Sequence, residues 1–403
     1  MLAYISLTHW TASSRGTISS RVKILIKARQ MKQKNPKRIG LAIVGAGRVG
    51  LMRGEIAARF PQVDWIGIAE INPERGRLVA EQIGADFVTR DYRELLKRPE
   101  VTAALISTVG HLHADPTLVA LENPNKISLL IEKPISNELA ESAKVLALIQ
   151  QAGVDALIGY TQRFRRRWLV AKDKVASGAL GDITTVSSRA FLNRMVAINN
   201  YQRESDPALN SPMVISGTHA LDIVMWMMEA KTPVEIYARS VDKALGAKYG
   251  GTDATVGTMT FSDGTLYNSV VNWALPINWP GAVYGLEVGV VGTTGVMTID
   301  DSHRDFVMAV SEPQGMGYVA DSSRLVDFVG STPAGDMALG ALRGPMAEET
   351  QAWLMRLATG MPTVHATAAE GHHRLMLAKA YDLSARIKAP VALPLPSNPT
   401  AVV

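Results

Sequence analysis

The chain has 403 residues, 47% hydrophobic and 20% charged, the balance of a globular protein long enough for two domains. No apolar run is long enough for a membrane-spanning helix. A net charge of only +5, much of it carried before residue 40, argues against a nucleic-acid surface, and the absence of cysteine excludes disulfides and thiol catalysis.

Residues 1–37 form a basic extension with few acids and no periodicity. The short apolar stretch 24–26 is broken by lysine on both sides, so it is no signal-peptide core. The extension reads as a disordered tail, or as sequence ahead of a true start at Met31, and the protein is expected to be cytoplasmic.

The first organised segment is an apolar strand over 39–44 that runs into Gly45, Gly47 and Gly50, spaced GxGxxG. A helical pattern follows. A second apolar strand over 65–69 then ends at Glu70. Strand, glycine turn, helix and distant acid together form the dinucleotide fingerprint. In it the helix N–H groups face a pyrophosphate and the acid faces the ribose hydroxyls. Glu70 would repel a 2′-phosphate, so NAD is expected over NADP, with Arg75 the one nearby cation. Strands near 87–88, 103–107, 128–131 and 156–159 alternate with helices over 74–83, 92–97, 116–121 and 138–153. That alternation predicts a parallel, doubly wound sheet.

After residue 160 the pattern changes. Strand-like runs at 184–191, 234–241, 254–261, 265–273, 287–291 and 296–300 predict an antiparallel meander, with Asp263-Gly264 as a tight hairpin. Helices are expected at 168–177 and 217–230, then from Pro345 to Gly360, then from a capping box of Thr367 and Glu370. The expected fold class is therefore α/β plus α+β, a Rossmann-type domain and then a large open, mostly antiparallel sheet. The domains are placed at 38–159 and 160–393, with a tail over 394–403.

Five segments carry a family resemblance. They are the turn Gly45-Ala46-Gly47-Arg48-Val49-Gly50; the segment from Thr108 through Val109, Gly110, His111 and Leu112 to His113 and Ala114; Glu132-Lys133-Pro134; Gly159-Tyr160 leading to Arg163-Phe164; and Gly217 through His219 to Asp222. Together they resemble the glucose–fructose oxidoreductase, inositol dehydrogenase and MocA family over roughly residues 38–390. Val109 and Gly110 stand where the family has Pro and Asn, and Ile215 stands where it has an Asp four residues before the histidine.

The resemblance implies NAD-dependent hydride transfer at a hydroxyl-bearing carbon of a sugar, polyol or related compound. In that reading Gly45, Gly47, Arg48, Val49 and Gly50 hold the pyrophosphate and Glu70 the ribose. Thr108, His111, His113, Glu132 and Lys133 border the nicotinamide. Lys133 positions the substrate hydroxyl and steadies developing alkoxide charge, and His219 removes the proton. Asp222, one helical turn on, orients His219 or caps local structure. Tyr160, Arg163, Asn193 and Trp273 are candidate substrate contacts, with Arg194, Asn272 and Trp279 as further ones. With Ile215 in place of an acid, His219 is expected to titrate near or below about pH 6.5, which suits an acidic lactol hydroxyl.

Other features are read without chemistry. His111 and His113 lack a third metal ligand, and His372 and His373 point apart on a helix, so no metal is expected. Arg165, Arg166 and Arg167 read as a solvated face, and Met225, Met227 and Met228 as core. The broad sheet face predicts a homodimer or homotetramer. Two rivals stay open: an enzyme that retains NAD through a transient oxidation, giving hydrolysis, elimination or epimerisation, and a non-catalytic NAD-binding regulator.

Overall fold

The computed structural model describes residues 36–203, 207–276, 284–300, 306–316, 319–329 and 334–396. The basic extension up to residue 35, Trp279 and the chain after residue 396 lie outside the described residues.

Strand β1 (Ile39–Val44) is buried at every position. Ile39, Leu41 and Ile43 pack on one side with Trp353 and Leu354, while Ala42 and Val44 pack on the other with Ile106 and Ile131. A strand covered on both faces reads as an unbroken apolar run, as 39–44 does. Strands β2 (Val63–Ala69), β3 (Phe87–Thr89), β4 (Ala103–Ile106), β5 (Ser128–Glu132) and β6 (Ala156–Gly159) complete a parallel sheet ordered β6-β5-β4-β1-β2-β3. Helices α1 (Arg48–Ala58), α2 (Pro73–Ile83), α3 (Tyr92–Leu96), α4 (Ala114–Leu121) and α5 (Leu139–Ala152) lie between the strands in the chain. The strand order reverses between β1 and β4, and ligands of such sheets bind in the crevice at that switch point.

The second half begins with α6 (Arg166–Ala176), β7 (Ile183–Asn193), α7 (Arg194–Arg203) and α8 (Thr218–Met227). Then come β8 (Pro233–Val241), the single turn α9 (Gly246–Tyr249), β9 (Ala254–Phe261), β10 (Leu266–Leu275), β11 (Tyr284–Gly292) and β12 (Val296–Ile299). The strands predicted by alternation are all present, but the sheet is not a meander. Its centre is a parallel pair, β7 with β10, and its other pairs are antiparallel. Alternation fixes which face of a strand is buried and leaves its partner open. Trp226 of α8 packs with Trp273, Tyr267 and Val288 of the sheet in one core.

Sequence patterning gave no element over the long hairpin β13 (Phe306–Met316) and β14 (Val319–Val329). After the short pair β15 (Asp336–Ala338) and β16 (Ala341–Arg343), the chain crosses back. Helix α10 (Pro345–Thr359) sets Trp353 and Leu354 into the core of the first sheet, and β17 (Ala366–Thr367) pairs antiparallel with β6. Helix α11 (Ala368–Ile387) starts with the capping box read from the sequence: Glu370 N donates to Thr367 Oγ1 at 3.2 Å and Thr367 N to Glu370 Oε2 at 2.9 Å. Its Leu375, Leu377 and Tyr381 belong to the second core, and β18 (Val391–Ala392) closes that sheet against β8. No helix among the described residues is long and apolar enough to cross a membrane.

One acid is placed at a cost to the fold. Ser211 donates its hydroxyl to Asp382 Oδ2 at 2.7 Å, and burial pushes the Asp382 carboxyl up from 3.8 to about 6. An acid with a raised native pKa favours the native state below its unfolded value and loses that advantage as pH rises through the native one. Asp382→Asn keeps an acceptor for Ser211 and removes the charge. It should raise Tm by roughly 3–5 °C at pH 8 and leave it nearly unchanged at pH 4. Equal effects at both pH values would contradict this account.

Candidate active site

The cofactor cradle is built where β1 meets α1. Gly45 has φ +92°, and a Cβ there would lie 2.8 Å from the Ser107 carbonyl oxygen, so no side chain fits. Gly47 caps α1 with no side-chain hydrogen bond and no acid in the first turn, and a Cβ on it would meet nothing within 4 Å. Open space therefore faces the N–H groups of an eleven-residue helix, which is where a pyrophosphate fits. Arg48 is exposed beside it, whereas Val49 turns toward Met52, Leu342 and Met346.

Glu70 stands at the end of β2, only 6% exposed. Its Oε2 accepts from Ala46 N at 2.9 Å and its Oε1 from Asn72 N at 3.0 Å. The acid thus braces the glycine turn itself. A carboxylate has about four acceptor positions, so ribose hydroxyls can still be bound. Arg75 Nη1 lies 3.9 Å from Oε1.

Lys133 follows the last residue of β5, and its peptide to Pro134 is cis. Its Nζ donates to the carbonyl oxygen of Ile215 at 3.0 Å. Residues Met213–Gly217 form a π-turn directly ahead of α8. Such turns interrupt the regular helical ladder and recur at functional sites. His219 is the second residue of α8, half-buried, with the Tyr160 ring edge-on at 6.2 Å. The Tyr160 hydroxyl pairs with Thr218 Oγ1 at 2.8 Å. Burial, and then the Lys133 charge, hold the His219 imidazole well below its usual 6.5. Burial also lowers the Lys133 ammonium, with Glu132 opposing. Lys133, His219 and Tyr160, separated in sequence, therefore meet at the carboxyl edge of the first sheet.

The segment from Thr108 to His113 lies beside them. His111 is exposed on a 3-10 turn, and Thr108 Oγ1 donates to Leu112 O at 3.0 Å. His113 is buried, with Nδ1 2.6 Å from Pro134 O and Nε2 3.0 Å from Thr108 O. A neutral imidazole donates through one nitrogen only, and burial lowers this group below 6.5. Both His113 nitrogens therefore face protein carbonyls, one on each of two loops, and the neutral ring donates to one of them.

Other expected contacts go elsewhere. Arg163 donates to Asp222 at 2.8 and 2.6 Å and to Glu370 at 2.8 Å, and Arg374 reaches Asp222 at 3.3 Å. Both Asp222 oxygens are engaged by arginines, so this acid clamps α8 to α11. Arg163 is likewise a buried tie and not a surface for substrate. Trp273 is buried, its indole N–H donating to Ser216 Oγ at 2.7 Å, which braces the π-turn. Asn193 donates to Pro276 O at 2.9 Å and accepts from Met195 N at 2.9 Å. Asn272 accepts from Ala274 N, and Arg194 donates to Ala274 O. These residues shape the ends of β7 and β10.

Two residues that brace the neighbouring segments carry no motif in the sequence. A Cβ at Gly110 would lie 3.0 Å from Asn137 Oδ1, so Asn137 fills the space that a side chain at 110 would take. Its amide also donates to Asn210 Oδ1 at 2.9 Å. Arg53, buried on α1, holds Glu132. Its signal was a lone cation on a helix face otherwise made of glycine, alanine and methionine. Among the described residues no group of three or more His, Cys, Asp or Glu could hold a metal ion.

The model for the oxidoreductase family with an NAD-binding Rossmann fold matches residues 39–160, and that for the GFO/IDH/MocA C-terminal domain matches 168–298. An inositol 2-dehydrogenase of Rubrobacter xylanophilus is 26% identical over 374 residues, 90% of this chain and 96% of its own. A 2,7-anhydro-N-acetylneuraminate hydratase of Mediterraneibacter gnavus is 24% identical over 69% of this chain and 74% of its own. The crystal structure of scyllo-inositol dehydrogenase from Lactobacillus casei with NAD(H) and scyllo-inositol superposes with TM-score 0.69 at 18% identity, covering 88% of this chain and 99% of that one. With matched models over both halves and a glycine cradle shaped for a dinucleotide, this chain belongs to the Gfo/Idh/MocA family of oxidoreductases and carries its NAD-binding domain.

Proposed function

We propose that this protein is an NAD-dependent dehydrogenase acting on a hydroxyl- or lactol-bearing carbon of a sugar, polyol or related hydroxy compound. The observation that carries the reading is the meeting of Lys133 and His219 beside the crevice that the glycine turn opens. Inositol dehydrogenases among the relatives and a structure holding scyllo-inositol support the substrate class. NAD, when bound, supplies the hydride acceptor or donor. The chain's own residues manage the hydroxyl and its proton.

An ammonium has three donors. Lys133 gives one to Ile215 O. Those that remain can hold a substrate hydroxyl and stabilise charge growing on its oxygen. His219 stays neutral and so is ready to accept the proton. A neutral base of low pKa is matched best to an acidic hydroxyl, which favours lactols within the class. Turnover of a panel of sugars, polyols and lactols with NAD, followed by reduced nicotinamide, tests the reading. Release of stoichiometric reduced cofactor supports it. A hydratase among the relatives gives the NAD-retaining alternative a specific basis, and net conversion without released reduced cofactor would favour that alternative.

Cofactor choice follows from Glu70. NAD should bind at least about tenfold more tightly than NADP, because the 2′-phosphate would meet a buried carboxylate. Glu70→Gln removes that charge and frees Arg75, so it should narrow the gap. Equal affinities in the unmutated protein, measured by titration, would refute the assignment.

A homodimer or homotetramer through the second sheet is part of the proposal. Tyr237, Val256, Leu266, Val291 and Val296 are exposed on the outer face of that sheet. Sedimentation of a monomer would remove it.

A further inference from the structure

Arg53 is 1% exposed, on the helix that opens with the glycine turn. Its guanidinium is spent on acceptors from two distant elements. Nε and Nη2 donate to Glu132 Oε1 at 2.9 and 2.6 Å, Nη2 also to Glu349 Oε2 at 2.7 Å, and Nη1 to Thr350 Oγ1 at 2.9 Å. Glu349 Oε2 also accepts from Thr161 Oγ1 at 2.8 Å. Thr161 follows Tyr160, whose ring meets His219, and Glu132 precedes Lys133. One buried cation therefore links α1, the end of β5, α10 and the turn after β6.

The cluster is asymmetric in charge. Two carboxylates share Arg53, and Glu349 is fully buried. Burial raises the Glu349 carboxyl, Arg53 pulls it back, and Glu132 adds to the rise. Burial works against the Arg53 charge too, and the two acids more than restore it. A planar guanidinium fixes its acceptors in direction as well as distance. Buried ion pairs contribute little net stability over apolar packing, but breaking one strands a charge. Without Arg53 the two acids would face each other, and one would protonate or swing away.

We propose that Arg53 is a positioning residue for Lys133: by clamping Glu132 to the cofactor helix and to Glu349, it sets where the neighbouring ammonium sits against the crevice. This rests on the reading of Lys133 as the hydroxyl-binding group. The rival is that Arg53 only fastens α10 to α1, in which case its loss lowers Tm and leaves Lys133 as it was.

The test uses the full chain with Arg53→Lys and Arg53→Met, each checked for folding by its melting curve. The rate at which a small acylating reagent labels Lys133 is followed against pH by peptide mass spectrometry. An amine reacts only when unprotonated, so this profile reports the titration and access of Lys133 without any turnover. In folded Arg53→Lys the profile should shift, kcat should fall by about tenfold or more, and NAD affinity should stay within about threefold. Arg53→Met should do the same more strongly. If it does not fold, Arg53→Lys decides. An unchanged Lys133 profile in a folded variant overturns the proposal. A shifted profile with unchanged kcat supports the clamp and overturns instead the reading of Lys133.

Discussion

Turnover in Lys133→Met is expected to fall by roughly a hundredfold or more, with NAD affinity within a few-fold of the unmutated protein. The half-buried lysine lies beyond the end of β5, on a different strand from the glycine turn after β1 and from Glu70 after β2. In the proposed reaction its ammonium holds the substrate oxygen, and Met keeps most of the stem volume while removing the charge. Ile215 O loses one donor, a loss of about 1 kcal/mol, so the variant should fold. Titration with NAD and steady-state turnover on the best substrate measure the two quantities. Near-normal turnover would make Lys133 structural.

The second large effect concerns pH. From sequence, His219 was expected to titrate near or below about pH 6.5. The structure moves it further: burial and the adjoining Lys133 charge hold the imidazole well below 6.5. A base whose pKa lies low is already unprotonated at neutral pH, so kcat/KM should stay flat as pH falls through 6.5, where an ordinary histidine would lose activity. Activity should instead be lost on the alkaline side, as pH rises through a Lys133 pKa lowered from 10.5 by burial. Ile215→Asp places a carboxylate within one turn of His219 and next to the Lys133 contact. An added negative charge raises both groups. An acid limb should then appear within the accessible range, and the alkaline limb should move up. His219→Asn should lower kcat/KM by roughly a hundredfold and leave no acid limb when combined with Ile215→Asp. An acid limb that persists in that double variant would show that His219 is not the base.

What could be read in the chain beforehand follows from the range of the interaction concerned. The glycine turn, Glu70 and the Thr367 capping box are local patterns in which spacing fixes geometry, and they stand where spacing put them. The strands of the second sheet were legible through alternation. The parallel pairing of β7 with β10 was not, because the pattern within a strand does not name its neighbour. Asp222 was read beside His219 alone, and its network with Arg163, Arg374 and Glu370 was not legible, because α11 brings the last two from about 150 residues away. Trp273 looked like a sugar contact at a strand end, yet its indole is buried against Ser216. Ile215 looked like a gap in the family pattern. Its side chain is apolar, but its backbone carbonyl meets Lys133 at the π-turn, and no side-chain pattern announces a carbonyl.

The central claim is hydride transfer between substrate carbon and nicotinamide beside Lys133 and His219. It is tested most directly with the best substrate deuterated at its carbinol carbon. The account predicts that the deuterium appears stoichiometrically in released reduced nicotinamide, at a rate that collapses in Lys133→Met. Deuterium that stays with the product, or a cofactor that binds and is never reduced, would contradict it.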